Sequence, residues 1–515
     1  MMRCPTQQEL VRLSRDRFFL LKSSLALAGG STVLAFLVSL ITPADSSGPY
    51  AITAPGKSGL ISLIRFGLPP EAGFTRGTCA HLLVEGEKNP FSGLIEATLA
   101  QEPDELIETW WKGLSHGNTA EAIARLESAE GTLRYRNEFI ADLKMKSANS
   151  GAALQSYLAE AANFEEADYA RRSALFLARF EEDRTLTRKL LAETTFRRAF
   201  APAERLPYQA YAKDYAGLAV SVILTEWGIR GTVYVVPALF TAAIWFFVLL
   251  SFCERSGKNL ITALLAFVLG IVSAGLTLYA VALQEHLAGQ NFNPADSPLA
   301  QFIYFLSGVA LREEFLKLLC FLPLAVLIRR TSSPIRALIL AGMVGLGFAF
   351  QENLIYFQAS PGTFTAWLRL LTANALHFSL TGVAGFYLWQ MLHRRFRGWE
   401  EFLFSFIAVV FAHALYNALL SMPALDSYAP LSPFLVAVIA YHYFDPVRLH
   451  METTGLHRRV SPLGIFIFGS ALLTCTILVS SAVVEPFRFA LGAFASSLAA
   501  MIPLSFAFIS RFRDL

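Results

Sequence analysis

Apolar residues run along this chain in long blocks, set apart by short polar segments rich in arginine. A membrane-crossing helix needs about 20 mostly apolar residues. About ten stretches approach or exceed that length: 23–42, 233–252, 261–284, 302–328, 335–357, 367–392, 402–422, 427–443, 463–484 and 487–508. The eighth is short and interrupted by Pro430 and Pro433. Each block is expected to be helical, because an open chain in lipid must satisfy its own backbone hydrogen bonds. Residues 43–231 follow another pattern. Through Pro90 they are rich in Gly and Pro and read as irregular or partly extended. From Leu94 an amphipathic period predicts helices over 104–114, 119–128, 151–163, 166–180 and 183–194. Small residues at Ala152, Ala159, Ala161, Ala167, Ala170 and Ala174 suit a short helical-repeat array or a plain bundle. Such a surface could bind a protein segment; the plainer reading is a spacer without a ligand.

The expected fold is therefore an all-α polytopic membrane protein of about ten transmembrane helices, with a mainly helical domain between the first and second. Its parts are a basic N-terminus at 1–22, a first membrane helix at 23–42 and the helical domain at 43–231. Two membrane helices and a loop fill 232–300, a polar-bearing core fills 301–421, and C-terminal helices with a tail fill 422–515.

Composition agrees with that division. Of 515 residues, 54% are hydrophobic and 16% charged, against about 25% charged in soluble domains. That excludes a wholly soluble, a disordered or a disulfide-stapled chain. A net charge of +3 gives no reason to expect nucleic acid as a partner. Cys4, Cys79, Cys253, Cys320 and Cys475 are scattered singly, which forms neither a disulfide framework nor a metal knuckle.

Basic residues set the expected orientation. Arg3, Arg12, Arg15 and Arg17 precede the first block, and bases recur after every second block: Arg255 and Lys258, Arg329 to Arg336, Arg394 to Arg397, Arg448 to Arg459, and Arg511 with Arg513. Both termini are then cytoplasmic and the helical domain is exported. The first block could also serve as a signal sequence, cleaved or not. Its apolar run exceeds the 7–15 residues of a signal core and no A-x-A site follows; either way the next segment is exported.

The informative feature is polarity inside four consecutive apolar blocks. One carries Arg312, Glu313, Glu314 and Lys317; the next Gln351, Glu352, Asn353 and Tyr356; the third Asn374 and His377; the fourth His413 and Asn417. A charged group at the centre of a membrane helix costs about 2.5–3.5 kcal/mol on insertion scales, so the set would cost on the order of 10 kcal/mol. A fold stable by about 5–15 kcal/mol cannot carry that uncompensated. These groups must meet one another, water or a metal. At 1.5 Å per residue, Glu313, His377 and His413 fall roughly 12–16 Å below the expected extracytoplasmic ends, and Glu352 roughly 8 Å. Glu313 with Lys317, Glu352 with Tyr356, and His413 with Asn417 are i,i+4 pairs that share a helix face. Ala341, Gly345, Gly347, Gly382 and Gly385 permit close helix approach.

E-E-x-x-K at Glu313 to Lys317, G-F-A-x-x-E-N-x-x-Y at Gly347 to Tyr356, a lone histidine at His377 and H-x-x-x-N at His413 to Asn417 follow in that order. The combination resembles the PrsW family of intramembrane proteases and, more distantly, the CAAX prenyl protease and Abi membrane proteins. The resemblance spans about residues 301–420, and Gln351 stands directly before Glu352 where the family often has Phe. It implies hydrolysis of a peptide bond in a membrane-anchored protein in a bacterial inner membrane, as in site-1 cleavage of an anti-sigma factor.

From the residues themselves, a carboxylate shielded from water beside a second one gains proton affinity and suits general-base work. Glu313 takes that role, with Glu314 as its neighbour and Lys317 as charge partner. Two mechanisms stay open. Glu352, His377 and His413 could bind Zn²⁺ with an open fourth position. Without a metal, Glu313 and His377 would activate water while His413 and Asn417 face the oxyanion. The plainer readings are an ion pair for Glu314 and Lys317, an interfacial aromatic for Tyr356, a helix–helix hydrogen bond for Asn374, and a polar network that merely fastens four helices. A transporter or sensor with a Glu/His relay is the competing function, and an inactive partner-binding scaffold is a third. No second copy of these elements exists in the chain, whereas transporters often carry repeated halves.

Overall fold

The computed structural model describes residues 7–41, 57–66, 92–228, 232–253, 257–287, 292–293, 295–330, 333–359, 364–454 and 461–512. Arg3, Cys4, Cys79, Arg255, His457, Arg458, Arg459 and Arg513 lie outside them, as does 67–90 of the Gly/Pro-rich stretch. All regular structure among the described residues is helical. The chain divides into two compact units: Met1–Ser46 with Glu226–Val281 and Gln290–Leu515, and Ser47–Thr225 with Ala282–Gly289.

The N-terminal helices are α1 (Gln7–Leu13) and α2 (Arg17–Ile41). The second unit is built from α3 (Lys57–Phe66), α4 (Ser92–Gln101), α5 (Glu105–Ser115), α6 (Thr119–Glu127), α7 (Arg136–Lys146), α8 (Ser150–Asn163), α9 (Asp168–Phe180), α10 (Arg184–Ala192), α11 (Thr194–Arg198), α12 (Pro202–Tyr211) and α13 (Tyr215–Trp227). Side chains punctuate the starts: Asp104 accepts from the Leu106 and Ile107 amides, Asn149 from Ala152, and Asp183 from Leu186. From α5 to α10 each helix packs on the next. Two apolar clusters fill the spaces, one around Trp110 and Phe139, the other around Leu154, Ala174 and Leu177.

All five helices expected here are present, and the pattern missed others. Helix α3 falls in the stretch read as irregular, and buries Leu60, Ile61, Leu63 and Ile64. Helix α7 shows no apolar stripe, because it buries acids. Glu138 and Asp142 are enclosed with Arg65 of α3, which lies 2.9 Å from Glu138 and 3.0 Å from Asp142. Tyr157 donates to Asp142 at 2.5 Å, and the Arg65 guanidinium lies 3.6 Å from the Tyr169 ring centroid.

The first unit continues with α14 (Thr232–Ser251), α15 (Gly257–Leu287), α16 (Pro298–Ile303), a π-helical turn (Tyr304–Ala310), α17 (Leu311–Ile328), α18 (Pro334–Ala359), α19 (Phe364–His393), α20 (Trp399–Ser421), a 3₁₀ segment (Pro423–Leu431), α21 (Ser432–Thr454), α22 (Pro462–Val484) and α23 (Phe487–Phe512). Helix occupies each of the ten expected blocks. Among the described residues, seven are long and apolar enough to cross a membrane. The apolar stretch Val235–Ser251 of α14 is shorter, while α17 and α19 carry the polar groups described below. The eighth helix differs from expectation: it starts at Ser432 and runs to Thr454. Pro433 stands in its first turn, where the missing N–H costs nothing, so it opens the helix rather than breaking it.

Helix α19 runs through the middle, packed against α17, α18, α20, α21 and α23. Glycines set its distance from α18. A Cβ on Gly345 would overlap the His377 carbonyl oxygen, and one on Gly385 would overlap Ala341. Gly347 instead allows α18 to meet α15 at the Phe267 carbonyl.

Candidate active site

Glu313 and Glu314 lie in the first turn of α17, just after the π-helical turn, a distortion found often at functional sites. Adjacent on α17, they share Lys317 and His413 as neighbours but are held with different tightness. Glu314 is fully enclosed and accepts from Lys317 Nζ at 2.8 Å, His413 Nδ1 at 2.8 Å and Thr381 Oγ1 at 3.2 Å. Glu313 is held more loosely: one oxygen lies 3.3 Å from Lys317 Nζ and 3.7 Å from His413 Nε2.

Lys317 is buried completely, and its ammonium reaches His377 Nδ1 at 2.9 Å and stands 3.8 Å from the Phe348 ring centroid. The other nitrogen of His377 meets Glu352 Oε2 at 2.8 Å. The same oxygen accepts from Arg369, also at 2.8 Å. The two imidazole rings lie edge to face, 5.1 Å apart.

A carboxylate can only accept, so each ring's proton follows from its partner. His413 carries N–H at Nδ1, toward Glu314, and His377 carries it at Nε2, toward Glu352. The opposite nitrogens, His413 Nε2 and His377 Nδ1, are then the basic ones. Donor atoms of Glu313, His377 and His413 all lie within 4.8 Å of one another. In formal charge, three carboxylates (Glu313, Glu314, Glu352) face two cations (Lys317, Arg369), which leaves one negative charge. A bound cation or a shared proton would offset it.

Six of the eight expected site residues thus form one connected network: Glu313, Glu314, Lys317, Glu352, His377 and His413. Tyr356 joins through Arg369, whose guanidinium lies 3.6 Å from its ring centroid; the tyrosine itself is exposed. Asn417, one turn after His413, is half-buried and makes no hydrogen bond to the network. The three close donors include Glu313 where the sequence suggested Glu352, which is engaged by Arg369 and His377 instead. Asn374 accepts from Asn353 at 3.2 Å and donates to the Leu370 carbonyl, linking α18 to α19.

The model of the PrsW family intramembrane metalloprotease matches residues 258–444. Over these residues the chain is similar to the PrsW family of intramembrane proteases. The matched segment runs from α15 into α21, wider than the stretch on which the motifs are legible. It leaves α1 to α14 and the last two helices outside. No curated protein and no solved structure matches the chain.

Sequence reasoning overlooked Arg369. It is a cation inside an apolar block, eight residues before His377 and so on the same helix face. That combination was a sufficient signal.

Proposed function

We propose that the PrsW-like domain hydrolyses a peptide bond of a membrane-anchored protein, on the extracytoplasmic side of a bacterial plasma membrane that the chain crosses ten times. The observation that carries this is the convergence of Glu313, His377 and His413, with the far nitrogen of each imidazole held by its own carboxylate. The spacing of bases along the chain supports cytoplasmic termini and an exported helical unit, which would hold a segment of the substrate. The family likeness favours site-1 cleavage of an anti-sigma factor as the reaction.

Glu313 is the general base in this reading. Its side chain is 9% exposed where that of Glu314 is sealed, and its bond to Lys317 is the longer one. It takes a proton from water as the oxygen adds to the scissile carbonyl carbon. The proton then passes to the leaving nitrogen as the C–N bond breaks. The Asn417 amide donates to the oxyanion. Glu314 fixes His413, and Lys317 offsets the paired carboxylates.

The family also implies a metal, and the donor set suits one. Two imidazoles and a carboxylate with a position left open is a zinc-type set, and carboxylates orient both rings from behind. Glu313, His377 and His413 would hold the ion, which supplies Lewis acidity and a more acidic water when bound. Glu313 would then serve as a ligand in place of the free base of the metal-free site.

Reconstitution with single-span substrates tests the proposal. Wild type cleaves, whereas folded Glu313→Gln and His413→Ala lose at least about 100-fold. Undiminished cleavage by Glu313→Gln removes the base assignment, and a transporter or sensor would leave every substrate intact. Elemental analysis of active protein answers the metal question: full activity without bound zinc leaves the three groups acting on water alone.

A further inference from the structure

We infer that Arg369 is a positioning residue that sets the proton and orientation of His377 through Glu352. The inference deepens the reading above and rests on it. Glu352 Oε2 is shared: Arg369 Nη2 and His377 Nε2 each approach it at 2.8 Å. Arg369 is 6% exposed and lies against the Tyr356 ring, so the guanidinium has little freedom to turn away. An arginine cannot lose its proton in a protein, so it remains a donor to that oxygen. Glu352 Oε2, already accepting from Arg369, meets His377 as an acceptor, so the ring presents Nε2–H to it. The lone pair of Nδ1 is thereby turned toward Lys317 and the Glu313–His413 side of the cluster.

The arrangement has the logic of an acid that holds a catalytic imidazole in one tautomer without reacting itself. It assigns Glu352 to orientation and separates it from the three convergent donors. Arg369 touches neither Glu313 nor His413 at bonding distance; it acts through its neighbour.

The test uses the full-length protein in liposomes with a fluorescently labelled single-span polypeptide that wild type cleaves and Glu313→Gln does not. Arg369→Gln and Glu352→Gln should each lower kcat by about 10–100-fold, with KM within about twofold. Arg369→Lys, which keeps the charge, should recover most of the loss. The double variant should be no worse than the poorer single one, since both act on one ring. Should Arg369→Gln fail to fold, Glu352→Gln and the double variant, which buries no unpaired charge, carry the measurement. Wild-type kcat in Arg369→Gln, or a loss confined to KM, overturns the inference while leaving the protease reading intact. So does a double variant whose losses multiply. If wild type cleaves no polypeptide, both fall.

Discussion

The ammonium nitrogen of Lys317 lies 2.9 Å from Nδ1 of His377, which places a side-chain cation against one of the three donors that would hold a metal. It is also 2.8 Å from Glu314 and 3.3 Å from Glu313. A metal ion and this ammonium therefore compete for the same lone pair. Lys317→Gln removes the competitor and raises the excess negative charge from one to two. The expected result is tighter zinc binding by the purified protein, read by elemental analysis after dialysis against a chelator series. Weaker binding would show that Lys317 builds the donor set instead of opposing it. The variant should also be less stable, by about 3–5 kcal/mol, because two buried carboxylates lose a partner.

The closeness of α18 and α19 makes a second prediction. A methyl group on Gly345 would overlap the carbonyl of His377, and backbone cannot swing aside. One on Gly382 would strike the Tyr443 ring, which can shift. Gly345→Ala should cost about 1–3 kcal/mol as overpacking and displace His377 with its helix. Cleavage should therefore fall more in Gly345→Ala than in Gly382→Ala at matched thermal stability. Equal activity in the two would detach the helix spacing from the site.

How much of this was legible in the chain depends on which physical rule each residue obeys. Glu313, Glu352, His377 and His413 stood out because lipid makes every ionisable group expensive, so their presence alone demanded a meeting place. Arg369 obeys the same rule but lies outside the four motifs, and attention to motifs hid it. Helix α7 was invisible for the opposite reason. It buries Glu138 and Asp142 against Arg65, a partner 77 residues from Asp142, so no apolar stripe marks it in the sequence. Periodicity reports which side chains are apolar, and cannot report an acid whose counter-ion arrives from elsewhere in the fold.

Asn417 and Asn374 look alike in sequence, and the structure separates them. Asn374 joins α18 to α19 through Asn353, whereas Asn417 makes no bond to the charged network although it lies one turn from His413. Asn417→Ala should lower kcat by about 10²–10³, the usual loss for one oxyanion donor, with thermal stability unchanged. Asn374→Ala should reverse the pattern, costing about 1–3 kcal/mol through the unpaired Asn353 amide and leaving kcat near wild type. Thermal unfolding and initial rates on the same preparations distinguish the two.

In the helical unit, Arg65 ties α3 to α7. Burial disfavours its charge, but Asp142, Tyr169 and Glu138 outweigh that and hold its proton more tightly than in free arginine. Arg65→Met leaves Glu138 and Asp142 enclosed without their shared cation, and should destabilise the unit by about 3–5 kcal/mol. Limited proteolysis of the full chain should then cut within α3 to α7 well before the membrane helices. Wild-type resistance would mean that the apolar contacts of Leu60 to Ile64 suffice to hold α3.

The cap on α5 supplies a pH dependence whose sign is fixed. Partial burial raises the proton affinity of Asp104, but the Lys57 ammonium and the amides of Ile107 and Leu106 more than reverse this. The folded-state carboxyl is therefore held below the ordinary range. A group depressed on folding stabilises above its unfolded value, about pH 3.9 for Asp, and that contribution disappears as pH falls through the lower folded value. Asp104→Ala should weaken the first turn of α5 at pH 7 by about 1 kcal/mol, the usual worth of a helix cap. Hydrogen exchange in the full-length protein reads this as roughly fivefold faster exchange of the Leu106 and Ile107 amides. After correction for intrinsic rates, the difference from wild type should shrink steadily at pH values below about 4. A gap of constant size across that range would mean that the ionised carboxylate contributes nothing to the turn and that the effect of the substitution lies in the alanine itself.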